Sequence, residues 1–209
     1  MAYKTVLFDI DNTLIDSAKV IAQVLQSVVS AKNKEIPLIE FRKRIGKPAG
    51  EILKDLGIDE TAQIIDEYEK KLQKATRELK YFPGIEQLIR QLNRMNVQIG
   101  VVTSNNRKQF DSETEYLSLV SNIEMVTTSD LTKYPKPSGD PLIYTIKKYG
   151  LRRDYTLYIG DSIFDMRSAM EAGIDFAAAG WGAFDDTVFS GAEYVLRQPE
   201  ELLQIISQD

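Results

Sequence analysis

The chain has 209 residues with a net charge of −5. That is enough for one good-sized core plus a small second unit, and the charge balance gives no reason to expect a nucleic-acid partner. It contains neither cysteine nor histidine, which excludes disulfides, thiolate nucleophiles, Cys-ligated zinc and histidine-based triads. Acid–base work is left to carboxylates, lysine, tyrosine and hydroxyls, and a metal site must be all oxygen, which suits magnesium, manganese or calcium.

The first element is the apolar run Thr5-Val6-Leu7-Phe8, which is too short for a helix and bounded by turn formers, so it reads as a buried strand. It stops at Asp9-Ile10-Asp11-Asn12-Thr13. In an extended chain Asp11 would share a face with Asp9. Two carboxylates placed together at a strand end are costly unless a cation or a shared proton relieves them. Ahead of this strand there is no signal-peptide pattern, and no apolar run approaches membrane-spanning length. The expectation is a soluble cytoplasmic protein with no membrane partner.

Asp16 and Ser17 are suitable caps for a helix from Ala18 to Ala31, where Val20, Ile21, Val24, Leu25 and Val28 recur at helical spacing. Helical patterning continues to about Lys80, broken at Pro37, Gly46 to Pro48 and Gly57. From Gly84 the rhythm changes. A helix from Ile85 to Met95 leads to a strand from Val97 to Thr103, then a helical stretch and a strand from Ile123 to Thr127. A helix from Asp140 to Tyr149 precedes the strand Thr156 to Ile159, and a helix from about Asp165 to Ala172 precedes the strand Phe176 to Ala179. A short strand at Tyr194-Val195 and a helix from Pro199 to Ser207 close the chain. Alternating strands and helices predict an α/β fold, a Rossmann-like three-layer core on a parallel sheet. Residues 1–15 and 81–209 would form that core, with residues 16–80 an inserted all-helical domain.

Ligands of such sheets sit outside the carboxyl ends of the strands, and those ends carry chemistry. The strand before Thr103 ends in Thr103-Ser104-Asn105-Asn106, where a hydroxyl and free N–H groups can meet a phosphate oxygen or simply cap a helix. Lys136 lies between Pro135 and Pro137, held by stiff backbone on both sides. The strand before Gly160 ends in Gly160-Asp161-Ser162-Ile163-Phe164-Asp165, where Gly160 permits a sharp turn. Four such signals at four strand ends form one site. Asp9 and Asp161 would chelate a divalent cation, most plausibly Mg2+, Ser104 and Lys136 would hold phosphoryl oxygens, and Asp11 would protonate the leaving oxygen as Asp9 attacks phosphorus.

These motifs resemble those of the haloacid dehalogenase superfamily of phosphatases, over essentially the whole chain. The resemblance implies that Asp9 becomes an aspartyl-phosphate and that Asp11 is the general acid and base. It also implies that the metal is held by the Asp9 side chain, the Asp11 backbone carbonyl and Asp161, with Asp165 behind them. Ser104, Asn105 and Lys136 would bind phosphate. The helical insertion would be a cap, and with Gly180-Trp181-Gly182 it is similar to that of phosphoglycolate phosphatase-like members. The expected activity is hydrolysis of a small phosphorylated metabolite by a monomer or homodimer. In the basic stretch Phe41 to Pro48, Lys47, and with it Arg44, would meet an anionic group of the substrate, against a solvated helix face for Arg42 and Lys43. Trp181 reads equally as cleft lining or core packing. Two other readings use the same Asp9: a phosphosugar mutase, whose relatives of the β-phosphoglucomutase type carry a histidine near the cap that this chain lacks, and a phospho-accepting receiver-like domain, whose motif order differs. A dehalogenase is disfavoured by Asp11.

Overall fold

A computed structural model describes residues 3–31, 34–59 and 62–207. Six parallel strands form one sheet: β1 (Thr5–Phe8), β2 (Gln98–Val102), β3 (Met125–Thr127), β4 (Thr156–Gly160), β5 (Asp175–Ala179) and β6 (Tyr194–Leu196). Their order is β3-β2-β1-β4-β5-β6. The chain steps outward from β1 through β2 to β3, then returns to the other side of β1 for β4. Leu7 is therefore in register with both Gly100 and Tyr158, and the crevice opens at the carboxyl ends of β1 and β4, where the strand order reverses.

Side-chain alternation divides the core into two apolar layers. Val6 and Phe8 face one side with Ile85, Leu88 and Leu92 of α5 (Ile85–Arg94 in chain order, after the insertion). Leu7 faces the other with Tyr158 of β4, Leu142, and Met166 and Ala169. All four residues of β1 are buried, as expected of a central parallel strand covered on both faces.

The insertion between β1 and α5 is helical: α1 (Ala18–Ser30), α2 (Leu38–Arg42), α3 (Ala49–Asp55) and α4 (Ala62–Ala75). It encloses its own apolar cluster of Leu25, Phe41, Leu53, Tyr68 and Leu72. The two chain crossings that join it to the core run side by side. Ile15 pairs antiparallel with Tyr81, Asp16 N–H donates to the Lys80 carbonyl at 3.0 Å, and Phe82 N–H donates to the Leu14 carbonyl at 3.1 Å. The remaining helices are α6 (Arg107–Thr114), α7 (Ser118–Ser121), α8 (Asp140–Tyr149), α9 (Ile163–Ala172) and α10 (Glu201–Ile206). Among the described residues no helix is long and apolar enough to cross a membrane.

Two local expectations are corrected. Beyond Phe8 the chain does not stay extended: the Ile10 carbonyl accepts from the N–H groups of Thr13, Leu14 and Ile15, with Asn12 in the left-handed region at φ 57°, a conformation asparagine tolerates. Asp11 therefore reaches the chamber it shares with Asp9 through this turn rather than by strand alternation. Nor does Ser17 cap α1 with its hydroxyl. The Asn12 side chain reaches over and accepts the Ala18 N–H at 2.8 Å, which leaves the Ser17 hydroxyl free to donate to Asp11.

Candidate active site

Asp9 follows β1 and is 2 % exposed. Lys136, equally buried, donates 2.7 Å to Asp9 Oδ1 and 2.6 Å to Asp165 Oδ1. The Tyr158 hydroxyl lies 2.9 Å from the Lys136 ammonium and donates 2.8 Å to the same Asp165 oxygen. The other Asp165 oxygen accepts from Ser162 N–H and Oγ–H, a capping box that starts α9. Both oxygens of Asp165 are thus committed to protein donors. Gly160 serves this arrangement by having no side chain: a Cβ there would lie 2.4 Å from the Asp165 carboxyl carbon. Its contribution is space for Asp165, rather than the sharp turn its type suggests, since it continues β4.

Asp161 is placed differently. It is 6 % exposed, and among the described residues its carboxylate has only a long contact with the Thr13 hydroxyl, 3.5 Å. Carboxylate oxygens of Asp9, Asp161 and Asp165 all lie within 4.8 Å of one another. Burial, against the pull of Lys136, pushes the Asp9 carboxyl up to about 7. Burial, with the neighbouring Asp165 and Asp9, raises that of Asp161 well above the usual carboxylate range. Burial disfavours the Lys136 ammonium, but the Asp165 and Asp9 carboxylates outweigh it and hold it above its ordinary value. One ammonium cannot balance this many buried carboxylates, so an oxygen-liganded divalent cation fits the site.

The sign of the pH dependence follows. Asp9 takes up its proton at higher pH folded than unfolded, so the metal-free fold loses stability as pH rises from about 4 to about 7. Metal-free protein should melt several degrees lower at about pH 8 than at about pH 5, and magnesium should raise the midpoint more at the higher pH. Differential scanning fluorimetry with and without EDTA checks this; an equal magnesium shift at both pH values would contradict it.

Asp11 stands apart from the three-carboxylate cluster. Ser17 donates to one of its oxygens, and Asn105 Nδ2 donates 3.1 Å to the other. Burial raises its carboxyl above the ordinary value, opposed by these two hydrogen bonds. Ser104 Oγ donates 2.8 Å to the Gly46 carbonyl of the insertion. Thr103, the residue after β2, is buried, and its Oγ accepts the Asn105 N–H at 3.1 Å. The end of α6 is capped by Asn106, whose side chain accepts from Gln109 N–H.

Lys47 lines the same small chamber as Asp9, Asp11, Ser104 and Tyr68, but its ammonium pairs with Asp55 at 2.6 Å and lies over the Phe164 ring. Arg44 is engaged by the Glu40 carbonyl and carboxylate. Of the two readings of Trp181 the structure supports core packing: it is partly buried against the main apolar cluster, and its Nε1 donates 2.9 Å to the Thr13 carbonyl. A Cβ at Gly182 would lie 1.6 Å from the Asn12 carbonyl oxygen, so only glycine lets that loop press against the turn after Asp9.

Sequence reasoning missed Tyr158, Ser17 and Glu113. A tyrosine inside a wholly buried parallel strand needs a partner for its hydroxyl, and that signal was available for Tyr158. Glu113 is 1 % exposed, and burial pushes its carboxyl well above the usual range, against the hydrogen bonds from Gln109 and Asn105. Its signal is the i, i+4 spacing to Gln109.

The haloacid dehalogenase-like hydrolase family pattern matches residues 6–179. A pyrophosphatase, PpaX, of Oceanobacillus iheyensis is 22% identical over 99% of this chain and 98% of its own length. A phosphoglycolate phosphatase of Aquifex aeolicus is 26% identical over 97% of this chain and 96% of its own. The crystal structure of a candidate phosphoglycolate phosphatase from Lactobacillus plantarum superposes with a TM-score of 0.90 at 26% identity, covering 98% of this chain and all of that one.

Proposed function

The chain belongs to the haloacid dehalogenase-like hydrolases, and from that premise we propose that it is a magnesium-dependent phosphatase of small phosphorylated metabolites, working through an aspartyl-phosphate on Asp9. The observation that carries the reading is the division between the two aspartates. Asp9 accepts from Lys136 beside the acidic cluster, whereas Asp11, lining the same chamber, accepts from Ser17 and Asn105. One carboxylate is held for phosphorus and the other for a proton.

In the first step Asp9 Oδ forms a bond to phosphorus as the bond to the leaving oxygen breaks, and Asp11 gives that oxygen its proton. In the second, water attacks the same phosphorus, Asp11 takes a proton from it, and the Asp9 carboxylate departs. Lys136 and Ser104 hold the transferring group's oxygens, while the Asn105 amide is occupied by Asp11 and Glu113. The Asp9 and Asp161 carboxylates and the Asp11 carbonyl would hold Mg2+, with Asp165 fixing Lys136 and Ser162 behind them. Bound there, the ion would offset the phosphoryl charge.

The insertion, residues 16–80, acts in this reading as a cap on a core of residues 1–15 and 81–209, and the paired crossings at Ile15 and Tyr81 are its hinge. The enclosed chamber between them measures about 20 Å3, room for little more than a water. Substrate admission therefore requires the cap to swing out, breaking the Ser104–Gly46 hydrogen bond and the Lys108–Glu69 ion pair that span the two parts. The apolar wall of Ile21, Ile45 and Ile52 favours a small substrate, phosphoglycolate-like, with Lys47 released from Asp55 to meet its anionic end. The names of the relatives support this class.

The purified protein should release phosphate from p-nitrophenyl phosphate with magnesium and lose that activity in EDTA. A panel including phosphoglycolate, pyrophosphate, nucleoside monophosphates and sugar phosphates then ranks substrates by kcat/KM. A stable phosphoprotein without turnover would instead indicate a receiver-like role.

A further inference from the structure

The Asn105 amide nitrogen that donates to Asp11 also donates 2.6 Å to Glu113 Oε2. The other Glu113 oxygen accepts from Gln109 Nε2 at 3.0 Å. Gln109 lines the chamber over Asp9 and Asp11 together with Tyr68 of cap helix α4, whose ring is buried. Among the described residues Glu113 has no ion-pair partner within 4.0 Å, so an unpaired carboxyl has been placed at the back of the site where an apolar side chain would pack at lower cost.

The Glu113 carboxyl meets both neighbouring amides with acceptor oxygens, Oε2 toward Asn105 and Oε1 toward Gln109. An asparagine amide can sit in either of two orientations with almost no change of shape. Turned over, Asn105 would set its carbonyl oxygen against acceptors on both Glu113 and Asp11, and both contacts would repel. With Glu113 in place only one orientation is tolerated, and it aims the NH2 group at Asp11.

We propose that Glu113 is a positioning residue for Asp11: by selecting the orientation of the Asn105 amide, it holds the Asp11 carboxyl in the direction needed for proton transfer to the leaving oxygen. This rests on the reading of Asp11 as the general acid. Glu113 itself touches neither Asp9 nor the transferring group.

The test compares two esters. Glu113→Gln keeps the volume but sets an NH2 against one of the two amide donors. It should lower kcat/KM by about tenfold on an alkyl phosphate, whose leaving oxygen must be protonated, and by less than about twofold on p-nitrophenyl phosphate, whose leaving group departs without help. Glu113→Asp, which keeps the carboxyl but withdraws it by one methylene, should give the same split, so the test does not depend on one variant folding. In an Asp11→Asn background Glu113→Gln should change neither value. Equal losses on both esters, no loss on either, or an additive loss in the Asp11→Asn background would overturn the positioning role. Wild-type protein inactive on both esters would remove the phosphatase reading and this role with it, whereas an active wild type with an unsplit variant removes this role alone.

Discussion

Asp9→Asn should reduce turnover by at least about four orders of magnitude, because the amide has no electron pair fit to form a bond to phosphorus. The loss should come without loss of the fold. Asparagine keeps an oxygen for the Lys136 ammonium, which now lies 2.7 Å from Asp9 Oδ1, and it removes one of the buried carboxylates that repel each other in the absence of a cation. The metal-free variant should therefore melt at or above the wild-type temperature while turning over almost nothing. Phosphate release measured with wild type and variant at matched concentration, beside their melting curves, checks both halves. A variant that retained turnover within about tenfold of wild type would show that the attacking group lies elsewhere, and the assignment of Asp9 would fail.

Lys136→Met should do the opposite to stability and also cripple activity. The ammonium is 1 % exposed and binds Asp9, Asp165, Tyr158 and the Val102 carbonyl. Methionine fills much of the volume but leaves Asp9 and Asp165 without their shared counter-charge. Removing one partner of a buried pair costs about 3–5 kcal/mol, less whatever is recovered when one carboxyl takes up a proton. That recovery sets a pH signature: the deficit should shrink as pH falls and the Asp9 carboxyl takes up its proton. Because Lys136 also holds the phosphoryl oxygens in the proposed mechanism, turnover should fall by about a hundredfold or more even where the variant is folded. Urea unfolding at two pH values separates the effects. A variant as stable as wild type at neutral pH would mean that the cluster is balanced by something other than this lysine.

Much of the fold was legible because its strands announce themselves. Each is a short apolar run ending in a polar turn, and the helices between them have clear apolar periodicity, so a parallel sheet with chemistry at one edge followed directly. Lys136 was readable as a residue held between prolines, and the acidic turn from Gly160 to Asp165 as a partner for Asp9. The relations between side chains that depend on where a helix face lands were not readable. That Asn12 caps α1 across the turn, that Gly160 clears room for Asp165, and that Glu113 sits behind Asn105 are consequences of packing distances with no period in the sequence. The expectation that the chain stays extended to Asp11 failed for a simpler reason: Asp9 still pairs with Ile159, but the backbone then turns on the Ile10 carbonyl, and Asp11 reaches the chamber it shares with Asp9 from that turn.

The hydrogen bond from Trp181 to the Thr13 carbonyl places the chain's single tryptophan on the turn that carries Asp11. Indole emission responds to the polarity and hydrogen bonding of its surroundings, so this protein has an intrinsic optical reporter at its working edge. The ion uptake and phosphoryl transfer proposed above should therefore change its emission, which stopped-flow fluorescence reads on the unlabelled protein with no second indole to obscure the signal.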